Sequence, residues 1–296
     1  MTPGRFRHFL AIDWSGAAGE RHKGIALAIA DAQGGPPVLV RPPPRGWSRS
    51  EVLHILRDEL PPDTLVGMDL GIALPHADCG AFFPHNEVLL PDAPALWALI
   101  DDICDSDDFL AATSFTEHAR YAPYFRRHGG RQGEHFGCDG AEHGRGRFRV
   151  TEHAQAAMGC KPYSNFNLVG AAQVGKSSLT GMRLLNRLRG HLPVWPIDPL
   201  PQQGSAIVEI YTTLAAMEAG RSSARSKMRS VADLNAALDV LDSPPIAGAG
   251  DIDDHSSDAL VTAAWLRLVA GERARWHPTG LTNEIARTEG WTFGAV

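Results

Sequence analysis

The chain has 296 residues, is 44% hydrophobic and 21% charged, and carries a formal net charge of −6. That length holds one large domain or two small ones with a sizeable core, and the acidic balance excludes a protein that coats nucleic acid nonspecifically while permitting a local basic groove. The four cysteines (Cys79, Cys104, Cys138 and Cys160) form no CxxC pair, which excludes a disulfide framework and a zinc ribbon. No leader pattern and no run of 18 apolar residues occurs, so the expectation is a cytoplasmic protein without a membrane span.

Taken in order, the first element is the apolar run of residues 9–12, long enough for a buried strand and too short for a helix. It ends on Asp13, and Ser15-Gly16 supplies turn chemistry. A carboxylate at the end of a buried strand is costly without a partner, although it can also simply close the turn. Residues 25–30 read as a second strand and 38–40 as a third, stopped by three prolines at 42–44. Ser48 and Glu51 form a capping box for a helix whose apolar face is Val52, Leu53, Ile55, Leu56 and Leu60. Residues 64–68 are a fourth strand, which also ends on an aspartate, Asp69. Hairpins make the first three strands antiparallel, and the helical crossover makes the fourth parallel to the first. If those two strands pair, Asp13 and Asp69 lie at neighbouring positions and repel unless a cation or a shared proton relieves them.

Residues 76–204 lose this regularity and read as an insertion within a single domain of residues 1–296, with helices expected near 91–102, 151–158 and 179–188. Within it, seven arginines from Arg120 to Arg149 lie in a Gly- and His-rich stretch of the kind that forms a lid or mobile loop. Residues 205–211 are a fifth strand with Glu209 inside it, followed by a helix near 231–241. A last helix at 256–270 is introduced by Asp254, His255 and Asp258, and residues 275–296 form a tail that docks through Trp276 and Trp291. The expected fold class is therefore α/β, a mixed five-stranded sheet with three antiparallel strands, then two parallel ones reached by helical crossovers.

Acids at a helix start complement its dipole without any further role. Asp258, however, opens a mostly apolar helix and needs a partner if it faces inward. Asp13, Asp69, Glu209, Asp254 and Asp258 could converge on a pair of divalent cations, and an all-oxygen donor set suits Mg²⁺ or Mn²⁺. Two such ions about 4 Å apart support phosphodiester hydrolysis.

This order of elements resembles the RNase H-like fold, and specifically the predicted nucleases of domain-of-unknown-function family 429. The resemblance rests on AIDWSG (11–16), GMDLGIALP (67–75), FNLVGAAQVGKSSLTGMRLLNRLR (166–189), VEIY (208–211) and DDHSSDALVTAAW (253–265). The His255-x-x-Asp258-Ala259 element is also similar to the last metal-binding helix of Holliday-junction resolvases. Ile72-Ala73 departs from the Pro-Ile-Gly pattern of many relatives. The resemblance implies metal-dependent cleavage of nucleic acid, with Asp13 bridging two ions. Asp69 or Glu209 would hold one ion, and Asp258, with Asp254 or His255, the other. His255 could instead orient the attacking water. Ser15, Arg126, Arg127 and Lys176 are the candidates for touching substrate.

Two other motifs compete. Residues 170–177 satisfy GxxxxGK[ST], the phosphate-cradling P-loop, in which Lys176 and Ser177 would serve a nucleotide and its Mg²⁺. The segment before it is a poor buried strand, so a Gly-rich turn ahead of a groove-lining helix is the expected use. His135, Cys138, His143, His153 and Cys160 fit no familiar zinc spacing. A non-catalytic binding module on the same fold is the third alternative.

Overall fold

The computed structural model describes residues 5–137, 145–170 and 173–296. Strands β1 (His8–Asp13), β2 (Ala26–Asp31), β3 (Val38–Leu39), β4 (Thr64–Asp69), β5 (Val194–Trp195) and β6 (Ala206–Glu209) form one sheet in the order β3-β2-β1-β4-β6-β5. The β1–β2 and β2–β3 pairs are antiparallel, whereas β1–β4, β4–β6 and β5–β6 are parallel. The α/β class and the antiparallel-then-parallel arrangement follow the expected order. The strand count does not: the sheet has six strands, because the two-residue β5 adds an edge beside β6.

Strand period decides what each face carries. Leu10, Ile12, Val66, Met68 and Ile207 enter one buried cluster, and Phe9, Ala11, Leu65, Ala206 and Val208 enter the other. On the first face lie α1 (Arg49–His54, continued by a π turn), α2 (Ala93–Ile103), α3 (Thr113–Glu117) and much of the insertion. α4 (Val150–Ala157) precedes the long α5 (Val174–Leu188), which packs on α2. The insertion is continuous with this core. Phe83, Trp97, Phe115, Tyr121, Phe125 and Phe166 share the cluster with Leu10 and Val66. Its core is built from scattered aromatics, which leave no periodicity for sequence reading to detect.

The second face is covered by α6 (Thr212–Glu218), α7 (Val231–Val240) and above all α8 (Asp254–Val269), which lies across β1 and β2. Gly67 in β4 allows this approach, since a Cβ there would collide with Leu266 of α8 and with Ile210. The last residues form α9 (Arg273–Trp276) and α10 (Asn283–Thr288), and they bury Trp276, Trp291 and Phe293 in the same core. The tail thus docks through both expected tryptophans. Among the described residues, no helix is long and apolar enough to cross a membrane.

Candidate active site

Asp13 and Asp69 are register partners at the ends of parallel strands β1 and β4. By strand parity both project from the face that α8 covers, the same side as Phe9, Ala11 and Leu65. Asp253 caps α8, its side chain accepting from the Ser256 N–H, and Asp258 follows one turn later on the buried side. The three aspartates therefore lie between the sheet and α8, near enough for the charges of Asp13 and Asp258 to act on Asp69. Burial pushes the Asp69 carboxyl up to about 8, reinforced by the charges of Asp13 and Asp258. Burial also raises Asp258, to about 6, although Lys227 opposes the shift.

Each acid already has a partner from this chain. His255 Nδ1 lies 2.8 Å from Asp13 Oδ2, and that hydrogen bond raises the imidazole pKa while the ring remains about half exposed. The Thr212 hydroxyl donates to Asp69 Oδ2 at 3.3 Å. The Lys227 ammonium donates to Asp258, and the charges of Asp13 and Asp69 also act on it. Burial alone would lower the Lys227 pKa, but the three carboxylates outweigh burial and raise it. Sequence reading missed Lys227. The available signal was compositional: it is one of four lysines (Lys23, Lys161, Lys176, Lys227) in an arginine-rich chain, set among Arg221, Arg225 and Arg229.

Glu209 does not join this group, and Asp254 adds its charge to Asp258 only from the rim. Asp254 faces outward and pairs with Arg229 at 3.2 Å. Glu209 aligns with Met68 rather than Asp69, so strand parity sends it to the opposite face. There its carboxylate receives Arg149 at 2.8 and 2.5 Å, the Ile72 N–H at 2.8 Å and the Thr292 hydroxyl. Arg149 also binds Glu152, whose carboxyl burial raises to about 7. Arg147 is likewise buried, held by Asp78 and the carbonyls of Pro75, Ala81 and Phe82. These two arginines of the basic stretch are thus structural. Arg126 and Arg127 sit at a separate turn and are not among the residues lining the cavity described next.

A cavity of about 440 Å³ opens beside Asp69, at the C-terminal ends of β1, β4 and β6. Its lining includes Trp14, Ser15, Tyr163, Asn165 and Ser177. The Ser15–Ala17 turn on its rim is clamped by Arg49, a buried guanidinium that donates to Ser15 O at 3.1 and 3.0 Å and to Ala17 O at 2.5 Å. Gly16 in that turn touches the α5 backbone at Lys176 and Ser177, where a Cβ would clash. Lys176 itself is exposed and lines a different cavity, with Asp107 and Phe109.

Among its described residues, the GxxxxGK[ST] match does not build a phosphate cradle. Among the described residues no strand of the sheet leads into α5, and Ala171 and Ala172 lie outside them. The Gly175 N–H donates to Asn167 O at 3.0 Å, and the Lys176 and Ser177 N–H groups donate to Gln173 O at 3.0 and 3.5 Å. A P-loop would direct such groups at a nucleotide. Gly175 is required because a Cβ there would meet the carbonyls of Asn165 and Asn167.

Among the described residues, no group of three or more His, Cys, Asp or Glu side chains is disposed to hold a metal ion. Cys138 and His143 lie outside the described residues. His135 packs against His85 and Tyr124, and Cys160 against Met217. Asp13, Asp69 and Asp258 act on one another electrostatically, with the Lys227 ammonium as their counter-charge, but they are not drawn together as a ligand set; carboxylate oxygens are the donor type that hard cations take. Compared with protein-family models, with curated proteins and with solved structures, the chain matches none.

Proposed function

We propose that this protein is a Mg²⁺- or Mn²⁺-dependent phosphodiesterase acting on nucleic acid, built on an RNase H-like topology of the kind found in family 429. The observation that carries the reading is the alignment of Asp13 with Asp69 on adjacent parallel strands, with Asp258 of α8 paired to the Lys227 ammonium beside them. Bound there, a divalent ion would polarise the phosphoryl oxygens and lower the pKa of a water nucleophile. Asp13, Asp69 and Asp258 would hold it, with Lys227 withdrawing from Asp258. His255, hydrogen-bonded to Asp13 and half exposed, is placed to hold a proton at the edge of the site and pass it to solvent or to a leaving oxygen. Arg49 keeps the Ser15–Ala17 turn in position beside the acids, and Ser15 lies close to the His255 ring, both lying within 3.5 Å of where a Cβ on Gly24 would stand.

The test is titration of wild type and Asp13→Asn with Mn²⁺ and Mg²⁺, alongside labelled single-stranded, duplex and branched DNA and RNA. Wild type is expected to bind metal and cleave at least one substrate, and the variant to lose both. A wild-type protein that binds neither ion refutes the reading. Metal binding without turnover on any substrate would favour the non-catalytic module.

A further inference from the structure

We propose that the cavity beside Asp69 is a nucleoside subsite, which receives one unpaired base with its sugar while the adjoining phosphate lies against the three aspartates. The placement of the phosphate rests on the proposed function, but the recognition of the nucleoside does not. Position is the first argument. The wall is made by the residues that follow β1, β4 and β6, the strand ends outside which open α/β sheets bind ligands. Asp69 belongs to both the wall and the acid cluster, so a ligand in the cavity touches the site where phosphate chemistry would occur.

Charge then selects the kind of ligand. Arg149 is the one cation among the described lining residues, and it is bound to Glu152 and Glu209. Three carboxylates, Asp69, Glu152 and Glu209, line the same space. The Gly175, Lys176 and Ser177 N–H groups at the start of α5, which elsewhere could attract an anion, are occupied by Asn167 O and Gln173 O. Among the described lining residues a phosphate entering the cavity would meet no cation free of a carboxylate partner, which favours a neutral part of the substrate there.

The remaining lining suits a base. Trp14, Tyr163 and Tyr211 supply aromatic surface, and Tyr163 is 39% exposed. Asn165 is buried, and its Nδ2 donates to Ala73 O at 2.8 Å. Its Oδ1 is buried beside the cavity wall with no hydrogen-bond partner among the described residues. The volume of about 440 Å³ lies in the range of roughly 300–1,000 Å³ typical of pockets that enclose one small ligand. A base held in a duplex stack does not reach into a recess, so the preferred substrate has an unpaired or extruded nucleotide.

Calorimetry on the metal-free full chain tests this, with adenosine, guanosine, cytidine and uridine as probes and ribose and inorganic phosphate as controls. At least one nucleoside is expected to bind, ribose and phosphate are not, and Tyr163→Ala at the exposed rim weakens the nucleoside by about tenfold or more. Asp13→Asn is expected to bind the nucleoside as wild type does, which separates this subsite from the metal chemistry. Phosphate binding as tight as any nucleoside, or no nucleoside binding at millimolar concentration, overturns the proposal. An affinity unchanged in Tyr163→Ala overturns it as well. If metal binding and cleavage fail while the nucleoside still binds, the phosphodiesterase reading falls alone.

Discussion

Replacing Lys227 with methionine probes the electrostatics of the acid cluster, because methionine keeps the unbranched apolar stem of the side chain and removes its ammonium. In wild type the ammonium is bonded to a buried Asp258 and acts on Asp13 and Asp69 as well. Breaking a fully buried pair costs about 3–5 kcal/mol, because a charge is left without compensation. Here the lysine side chain is 48% exposed, so solvent screens part of the interaction. Asp258, already raised to about 6, can also take up a proton and cap the loss. The expected cost is about 1–2 kcal/mol of metal-free stability at pH 8, measured by urea unfolding in chelator, and less at pH 5. The same interaction opposes a divalent ion, which must displace the ammonium. Mn²⁺ should therefore bind the variant roughly 5- to 30-fold more tightly, the ratio equivalent to that energy. Calorimetric Mn²⁺ affinity that is unchanged or weaker, together with unchanged metal-free stability, would refute the role of Lys227 as the internal counter-charge.

Three further outcomes follow from the same geometry. Burial and like charges raise Asp69 to about 8 and Asp258 to about 6, so the folded state binds more protons than the unfolded state above pH 4. Their contribution is complete below the unfolded value of 3.8 and is lost as pH rises through 6 and 8. Metal-free melting temperature should fall over that window, and Asp69→Asn should flatten the slope; an unchanged slope in the variant contradicts the assignment. Glu209→Gln should destabilise the fold by about 3–5 kcal/mol by breaking its buried pairing with Arg149, yet leave Mn²⁺ affinity intact. The reverse pattern in chemical unfolding and calorimetry would make Glu209 a ligand. Gly16→Ala should cost about 1–3 kcal/mol in urea unfolding, because its methyl group meets the α5 backbone; a loss below about 0.5 kcal/mol would mean the turn can move away.

Much of the sheet was legible because its signals are local. The apolar runs ending at Asp13 and Asp69, and the proline stop after β3, define strands without reference to the rest of the chain. The missing strand, β5, is two residues long and stands between Pro193 and Pro196, too short for any periodic pattern. α5 begins at Val174, five residues before the expected start, because Gly175, Lys176 and Ser177 carry turn-like chemistry that packing overrides. The insertion belongs to the core through aromatic contacts between residues far apart in sequence, and pattern reading has no access to those.

The site divides along the same line, between what a single segment determines and what register determines. Asp13 and Asp69 could be paired in advance because each closes its own strand and the crossover sets their direction. Glu209 could not be placed, because its face depends on whether β6 aligns it with Asp69 or with Met68, and a one-residue slip reverses the answer. Once it aligns with Met68, a second acid network must form on the opposite face, which is why the basic stretch yields Arg149 as the partner of Glu209. Lys227 follows from the complementary requirement: with Glu209 and Arg149 removed to that face, the cation that acts on Asp69 and Asp258 among the described residues is an ammonium. A flexible ammonium from the loop before α7 supplies their charge. A lysine reaching in from a loop can leave without disturbing the sheet, whereas a buried arginine such as Arg149 cannot. The face that keeps an exchangeable cation is therefore the one to test for metal.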